Sequence, residues 1–170
     1  LTETLNFRDL DSKIKLVFFS NAKDTLTSKL IGYMLETEVW EYLGNYEDIY
    51  FLNFIIEDSL HVFNEALFSE NKIPTKQWIN VPLKLDSLSN LIDDNILVGA
   101  IKSKIKDQEE ARFGETIICD REGRIRVGYN NSDETMFTYN NLSKFEIKLL
   151  RDDLKLLLAE YQRELKKKND

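Results

Sequence analysis

The sequence predicts an α+β fold in which an antiparallel sheet packs against several helices. Three observations predict it. Apolar residues alternate over 115–139, and they repeat at helical spacing over 143–166. Before residue 115, shorter segments with strand spacing and with helical spacing follow one another. A chain of 170 residues has the usual length of one domain, so we expect a single domain over 1–170. The composition is 42% hydrophobic and 31% charged, which is typical of a globular protein.

In the first half of the chain, the spacing of apolar residues clearly indicates one strand and one helix and leaves a third segment ambiguous. Residues 13–19 alternate and predict a strand. Asp24 can cap a helix over 25–43, because its carboxylate accepts hydrogen bonds from free backbone N–H groups in the first turn. Residues 49–56 fit either a buried strand or the start of a helix, and their β-branched and aromatic content favours the strand.

The middle of the chain predicts a strand between two helices. Residues 59–69 and 88–107 have helical spacing, and residues 78–85 alternate as a strand does. Pro82 cannot donate a hydrogen bond to a neighbouring strand, so we expect this strand at an edge of the sheet.

The end of the chain predicts the two most regular elements. Residues 115–139 read as a three-stranded antiparallel meander, with a first turn around Gly123 and a second turn rich in Asn, Ser and Asp. A long helix is predicted over 143–166, and Ser143 and Glu146 have the spacing of a capping box at its start.

Charge is distributed unevenly along the chain, whose net charge is −7. Residues 30–71 contain no Lys or Arg but hold nine Asp or Glu residues and nine of the nineteen aromatic residues. One interpretation is that the rings are core and the acids are solvated faces of the same elements. The other is an acidic surface with aromatic anchors that docks on a basic protein. The predicted partner-binding residues are Glu36, Glu38, Trp40, Glu41, Glu47, Asp48, Glu57 and Asp58.

Residues that carry familiar chemistry are scarce. The chain has one Cys and one His, so we expect no metal site and no catalytic pair built on Cys119 and His61. The six glycines are scattered singly, which excludes a phosphate-binding glycine loop, and we expect no cofactor. The acidic total disfavours nucleic acid as a partner, and no apolar run is long enough to span a membrane.

These observations predict a non-catalytic protein-binding module: an acidic inhibitor or immunity-type protein that docks on a basic partner such as a nuclease toxin. Two alternatives remain, a structural or assembly subunit that uses the C-terminal helix and a small enzyme with an unrecognised site. A single cysteine favours a reducing compartment, so we expect a cytoplasmic protein, either a monomer or a homodimer.

Overall fold

A mixed five-stranded sheet forms the centre of the molecule. The computed structural model describes residues 10, 12–57, 72–84, 114–129, 135–136 and 138–169. The strands of this part of the chain are β1 (Ile14–Asn21), β2 (Ile49–Glu57), β3 (Trp78–Lys84), β4 (Glu115–Cys119), β5 (Gly128–Tyr129), β6 (Thr135–Met136) and β7 (Tyr139–Asn140). The order across the sheet is β3-β2-β1-β4-β7, and β5 pairs with β6 in a separate two-stranded ladder.

Strand β1 lies at the middle of the sheet because both of its faces are apolar. Its sequence, IKLVFFSN, gives a nearly continuous buried run, as expected for a strand covered on both sides. It pairs in parallel with β2 on one side and antiparallel with β4 on the other. Strand β2 pairs in parallel with β3, so three parallel strands lie side by side.

One helical segment connects β1 to β2. It consists of α1 (Thr25–Leu35), a π-helical turn (Glu36–Trp40) and α2 (Glu41–Leu43). The last helix, α3 (Lys144–Asn169), follows β7. Among the described residues, no helix combines the length and the apolar character needed to cross a membrane.

The sheet separates two clusters of buried apolar side chains. On one face, Leu16 and Phe18 of β1 pack in a cluster with Leu35 of α1 and Leu154 of α3. On the other face, Val17 belongs to a second cluster with apolar residues of β2, β3 and β4. Alternation along β1 therefore supplies both cores, since successive side chains of a strand point to opposite faces.

The prediction of an antiparallel sheet built around a three-stranded meander is wrong. The first turn of the meander forms, because Asp120 N–H donates to Arg124 O at 2.9 Å and Arg126 N–H to Ile118 O at 2.9 Å. Beyond a single bridge between Cys119 and Ile125, however, the second segment leaves the sheet. Strand β4 pairs instead with β1, which is distant in sequence, and with β7, which follows the short ladder of β5 and β6. Pairing of β4 with the apolar strand β1 is therefore more favourable than extension of the local hairpin.

Most of the individual elements agree with the sequence. The helix over 25–43 is confirmed, although a π-helical turn interrupts it, and 49–56 is a strand. Strand β3 lies at the edge of the sheet, as Pro82 predicts. The long C-terminal helix is also confirmed, with Glu146 N–H donating to Ser143 Oγ at 3.3 Å. The helices predicted over 59–69 and 88–107 lie outside the described residues.

Candidate functional site

A row of polar side chains crosses the three parallel strands. Ser20 Oγ donates to Asn53 Oδ1 at 2.6 Å, and Asn53 Nδ2 donates to Asn80 Oδ1 at 3.0 Å. Trp78 Nε1 donates to the same Asn80 oxygen at 3.1 Å. We call Ser20, Asn53, Asn80 and Trp78 the polar row. Ser20 lies near the carboxyl end of β1, Asn53 at the middle of β2 and Asn80 near the start of β3. The row therefore crosses the sheet, and its half-buried end at Asn80 of the edge strand is a candidate binding point.

The turn between β1 and α1 lies beside this row. Asn21 Oδ1 accepts from Lys23 N–H at 2.9 Å, and Ala22 N–H donates to Ile56 O at 3.0 Å. Asp24 Oδ1 accepts from Thr27 N–H at 3.0 Å, which caps α1. The turn is therefore held by backbone and amide contacts, and residues 20–24 include no cysteine and no histidine.

Cys119, the only cysteine, lies at the end of β4 and is 4% exposed. The pKa of its thiol is raised to about 11, chiefly by burial; the charge of Lys15 opposes this rise and that of Asp120 adds to it. Because the thiolate is the reactive form, this thiol is inert near neutral pH.

A second candidate is a pocket of about 390 Å³ beside the π-helical turn. It is lined by Glu36, Trp40, Glu41, Gly44, Asn45 and Lys72. Trp40 packs edge-on against Phe51, with ring centroids 6.3 Å apart. Gly44 approaches the indole so closely that a Cβ there would lie 2.9 Å from a ring carbon. A side chain at this position would therefore displace the aromatic wall.

Glu36 is the buried carboxylate of this pocket, at 6% exposure. Its Oε2 accepts from the backbone N–H of Lys72 at 3.0 Å, and its Oε1 lies 3.1 Å from the Lys72 ammonium. The hydrogen bond and the charge of Glu36 raise the pKa of Lys72. The carboxylate therefore has both a neutral and a charged donor, as a buried acid requires.

The π-helical turn brings the pocket residues together. The backbone N–H of Glu41 donates to Glu36 O, five residues earlier, which is the hydrogen bond that defines a π turn. In a regular α-helix, residues five apart would point about 140° away from each other. The wider turn places Glu36 and Glu41 on the same side, so both line the pocket.

The other predicted partner-binding residues lie elsewhere. Glu38 faces the last helix, 3.8 Å from Arg151 and 3.9 Å from Lys144. Glu47 and Asp48 precede β2, whereas Glu57 ends it opposite Lys84. Asp58 is outside the described residues. The structure thus brings Glu36, Trp40 and Glu41 into one pocket and separates Glu47 and Asp48 from Glu57 by the length of β2, about 30 Å.

Basic residues from other parts of the chain contact most of these acids. Asp48 binds Lys13 and also Arg121, whose Nη2 lies 2.8 Å from its Oδ2. Glu47 lies 3.7 Å from Lys76, and both side chains are largely exposed. The acidic block of the sequence is therefore divided among local ion pairs in the folded molecule.

Local sequence patterns do not reveal the polar row or the contact of Lys72 with Glu36. Asn53 gave a signal, because it is a polar residue inside the apolar run IYFLNFII. Neither Ser20 nor Asn80 stands out, since Ser20 follows the predicted strand 13–19 and Asn80 lies near the start of the predicted strand 78–85. Lys72 lies 36 residues from its carboxylate partner, so no local pattern could connect them.

The described part of the chain has no group of three or more His, Cys, Asp or Glu side chains arranged to hold a metal ion. Soft metals such as Cu(I) prefer thiolate and thioether ligands. The single buried cysteine does not fit such a site.

No family model matches the sequence, and no curated protein sequence matches it. Solved structures do match its fold. A SCO1/SenC family lipoprotein from Bacillus anthracis aligns with a TM-score of 0.59 and 13% identity, over 91% of this chain and 86% of that one. A candidate protein disulfide isomerase from Bacteroides thetaiotaomicron aligns with a TM-score of 0.56 and 14% identity, over 94% of this chain and 82% of that one. The fold is therefore thioredoxin-like, and identities this low establish the fold alone.

The prediction of an acidic inhibitor or immunity-type protein is wrong. Two solved proteins that share this fold are named as a SCO1/SenC lipoprotein and a candidate disulfide isomerase, and neither is named as a nuclease inhibitor. Some members of this fold group are thus named for enzymatic activity, so the fold gives no support to the expectation of a non-enzyme. Charge counted along the sequence misled the prediction, since ion pairs with distant basic residues occupy many of the acids.

Proposed function

We propose that this chain is a thioredoxin-like binding domain that works without dithiol–disulfide exchange. One observation carries the proposal: its only cysteine is buried in β4, and the turn between β1 and α1 contains no sulfur. Binding is then the function that the half-buried end of the polar row and the pocket beside the π-helical turn can perform.

Exchange of a disulfide through a thioredoxin-like site needs two thiols in one protein. A first thiolate attacks a disulfide sulfur, forms a mixed disulfide and releases one thiolate. A second thiolate of the same protein then breaks the mixed disulfide and releases the other, so that two electrons pass to the substrate. A chain with one cysteine cannot complete the second step by itself.

Cys119 is also unsuited to the first step. The rise of its pKa from 9.0 to about 11 lowers the thiolate fraction about 100-fold near neutral pH. The thiol packs with Leu10, Val17 and Ile117 in the second apolar cluster, where a disulfide substrate would have no access. Its contacts are those of a small apolar core residue.

The polar row supports binding at the edge strand β3. Ser20 and Asn53 are almost fully buried, whereas Asn80 is half-buried at the edge strand. The buried partners fix the orientation of the Asn80 amide, because its oxygen accepts from both Asn53 and Trp78. A fixed amide loses little conformational entropy when it binds a ligand, so its fixed orientation favours binding.

Thiol reactivity and insulin reduction test the proposal together. We expect an aromatic disulfide reagent at pH 8 to label the folded protein at least 100-fold more slowly than the protein unfolded in guanidinium, which should release one equivalent. We also expect the protein not to accelerate insulin reduction by dithiothreitol.

The Cys119→Ala variant is the matched control for both measurements. It should bind no reagent when unfolded and should give the same insulin reduction rate as the unchanged protein. Acceleration of insulin reduction that disappears in Cys119→Ala would show redox catalysis and would overturn the proposal.

A further inference from the structure

The pocket beside the π-helical turn combines three features that suit one kind of ligand. Trp40 supplies an aromatic wall, Glu36 a buried carboxylate and Glu41 an exposed carboxylate. We propose that this pocket binds an alkylammonium group and that the side chain of Lys72 competes with the ligand for Glu36. The inference rests on the proposed binding function and adds the class of ligand.

The contact between Lys72 and Glu36 shows that the carboxylate can hold an ammonium. The Lys72 Nζ lies 3.1 Å from Glu36 Oε1, yet the Lys72 side chain is 81% exposed. Only the Glu36 end of this ion pair is buried, so the exposed Lys72 ammonium can return to water when a ligand ammonium takes its place on the carboxylate. The backbone N–H of Lys72 stays bonded to the other oxygen of Glu36 and keeps the carboxylate in place.

The charges of the pocket favour a cation over other ligands. Among the described lining residues, Glu36 and Glu41 contribute two negative charges and Lys72 one positive charge, which gives a net charge of −1. A ligand cation that displaces Lys72 would face both carboxylates. It would also meet an indole, whose π face attracts cations more strongly than other aromatic side chains do.

An ammonium fits better than a metal ion or a guanidinium. Among the described lining residues, side-chain oxygens come from Glu36, Glu41 and Asn45 alone, fewer than the six to eight oxygen ligands of a calcium site. The ammonium that already contacts Glu36 belongs to a lysine, whose three N–H donors need no planar partner. The group could come from a lysine side chain of a protein or from a free amine, and the same chemistry recognises both.

NMR titration of the Trp40 indole N–H tests the inference on the complete chain. The probes are Nα-acetyl-lysine methylamide, n-butylamine and the uncharged Nα-acetyl-norleucine methylamide. We expect the two amines to shift the signal with a Kd on the order of 1 mM, and norleucine to leave it unchanged. Tighter binding of the lysine amide than of butylamine would indicate a protein side chain, and equal binding would indicate a free amine.

Two substitutions separate this mechanism from general attraction of cations to an acidic protein. Lys72→Ala removes the competing ammonium and should tighten amine binding about 3- to 10-fold. Glu36→Gln keeps an oxygen that can accept from the Lys72 backbone but loses the charge, and it should weaken binding at least 5-fold. The control Glu47→Gln changes an exposed acid that does not line the pocket and should have no effect.

The inference fails if the amines do not shift the Trp40 signal, or if Glu36→Gln and Glu47→Gln bind them equally well. Neither result depends on Cys119. The thiol measurements therefore judge the absence of redox activity separately, and loss of amine binding would leave that conclusion intact.

Discussion

At the scale of single residues, Gly128 is required by the space around it. Tyr139 Oη donates to Asp153 Oδ2 at 2.6 Å, and burial of the phenol together with this bond raises the pKa of Tyr139. A Cβ at position 128 would overlap both of these oxygen atoms. The backbone of β5 can therefore pack on this hydrogen bond only without a side chain.

We predict that Gly128→Ala lowers the free energy of unfolding by about 1–3 kcal/mol, because the added methyl group overpacks a buried site. Urea denaturation monitored by circular dichroism measures the change. Tyr139→Phe in the same background should recover part of the loss, since it removes one of the two overlapping oxygens.

Gly123 provides the matched control, because it is required for a different reason. It has a φ of 79°, and nothing lies within 4 Å of the position of a Cβ. Gly123→Asn should therefore be tolerated better than Gly123→Ala, since Asn adopts this backbone conformation more readily. If Gly128→Asn were also better tolerated than Gly128→Ala, the argument from space would be wrong.

At the scale of elements, the start of α1 depends on Asp24. Its carboxylate accepts from Thr27 N–H, and its backbone oxygen accepts from Ser28 Oγ at 2.8 Å. The backbone hydrogen bond from Thr27 is the main cause that lowers the pKa of Asp24. The cap thus fixes the start of the helix that follows β1.

We predict that Asp24→Ala destabilises the protein by about 1 kcal/mol at pH 7, the usual effect of losing an N-cap. Because the pKa of Asp24 is lower in the folded state, the charge stabilises the fold above the unfolded value of 3.8. This contribution disappears as the pH falls through the folded pKa. Thermal unfolding of Asp24→Ala and the unchanged protein at pH 7 and near pH 2 measures it.

The substitution Asp24→Asn keeps an acceptor oxygen and should lose only a few tenths of a kcal/mol at pH 7. A cost for Asp24→Ala that did not shrink in acid would mean that the charged cap is not its source.

At the scale of the whole molecule, the polar row joins the three parallel strands. Asn53 lies between β1 and β3 and bonds to Ser20 on one side and Asn80 on the other. Since Ser20 is 1% exposed, its hydroxyl has no water to replace Asn53. The row therefore specifies how the parallel strands align as well as how the Asn80 amide is oriented.

We predict that Asn53→Ala lowers the free energy of unfolding by about 2–4 kcal/mol, because it leaves a cavity and an unpaired buried hydroxyl. Ser20→Ala should cost about 1 kcal/mol, and the double variant should cost less than the sum of the two. Chemical denaturation of the four proteins completes the cycle.

The exposed Asn45 gives the control, and Asn45→Ala should change stability by less than about 0.5 kcal/mol. Additive costs of Ser20→Ala and Asn53→Ala would contradict the proposed coupling along the row.

Local patterns predicted the elements but not their pairing. The strand at 13–19, the helix at 25–43 and the strand at 49–56 were all predictable, and a strand–helix–strand unit favours parallel strands. The clean alternation around Gly123 suggested instead that neighbouring segments form the whole sheet. Alternation shows that a segment has two faces, but it carries no information about which distant strand completes its hydrogen bonds.

The candidate site was predictable only in part. Glu36, Trp40 and Glu41 were identified through their residue types, and they do line one pocket. Their interaction with Lys72 could not be predicted, because a contact over 36 residues depends on the fold of the intervening chain. The role of the remaining acids in partner binding stays a prediction.

The amino-acid sequence by itself determined that these 170 residues contain one thiol, and therefore that they cannot carry a dithiol. It also determined the helical and strand periods, since these follow from the side chains of consecutive residues. Only the tertiary structure decided that β1 lies between β2 and β4, that basic residues contact the acidic block, and that a π-helical turn forms a pocket. These features depend on contacts between segments far apart in sequence, and such contacts exist only after the chain has folded.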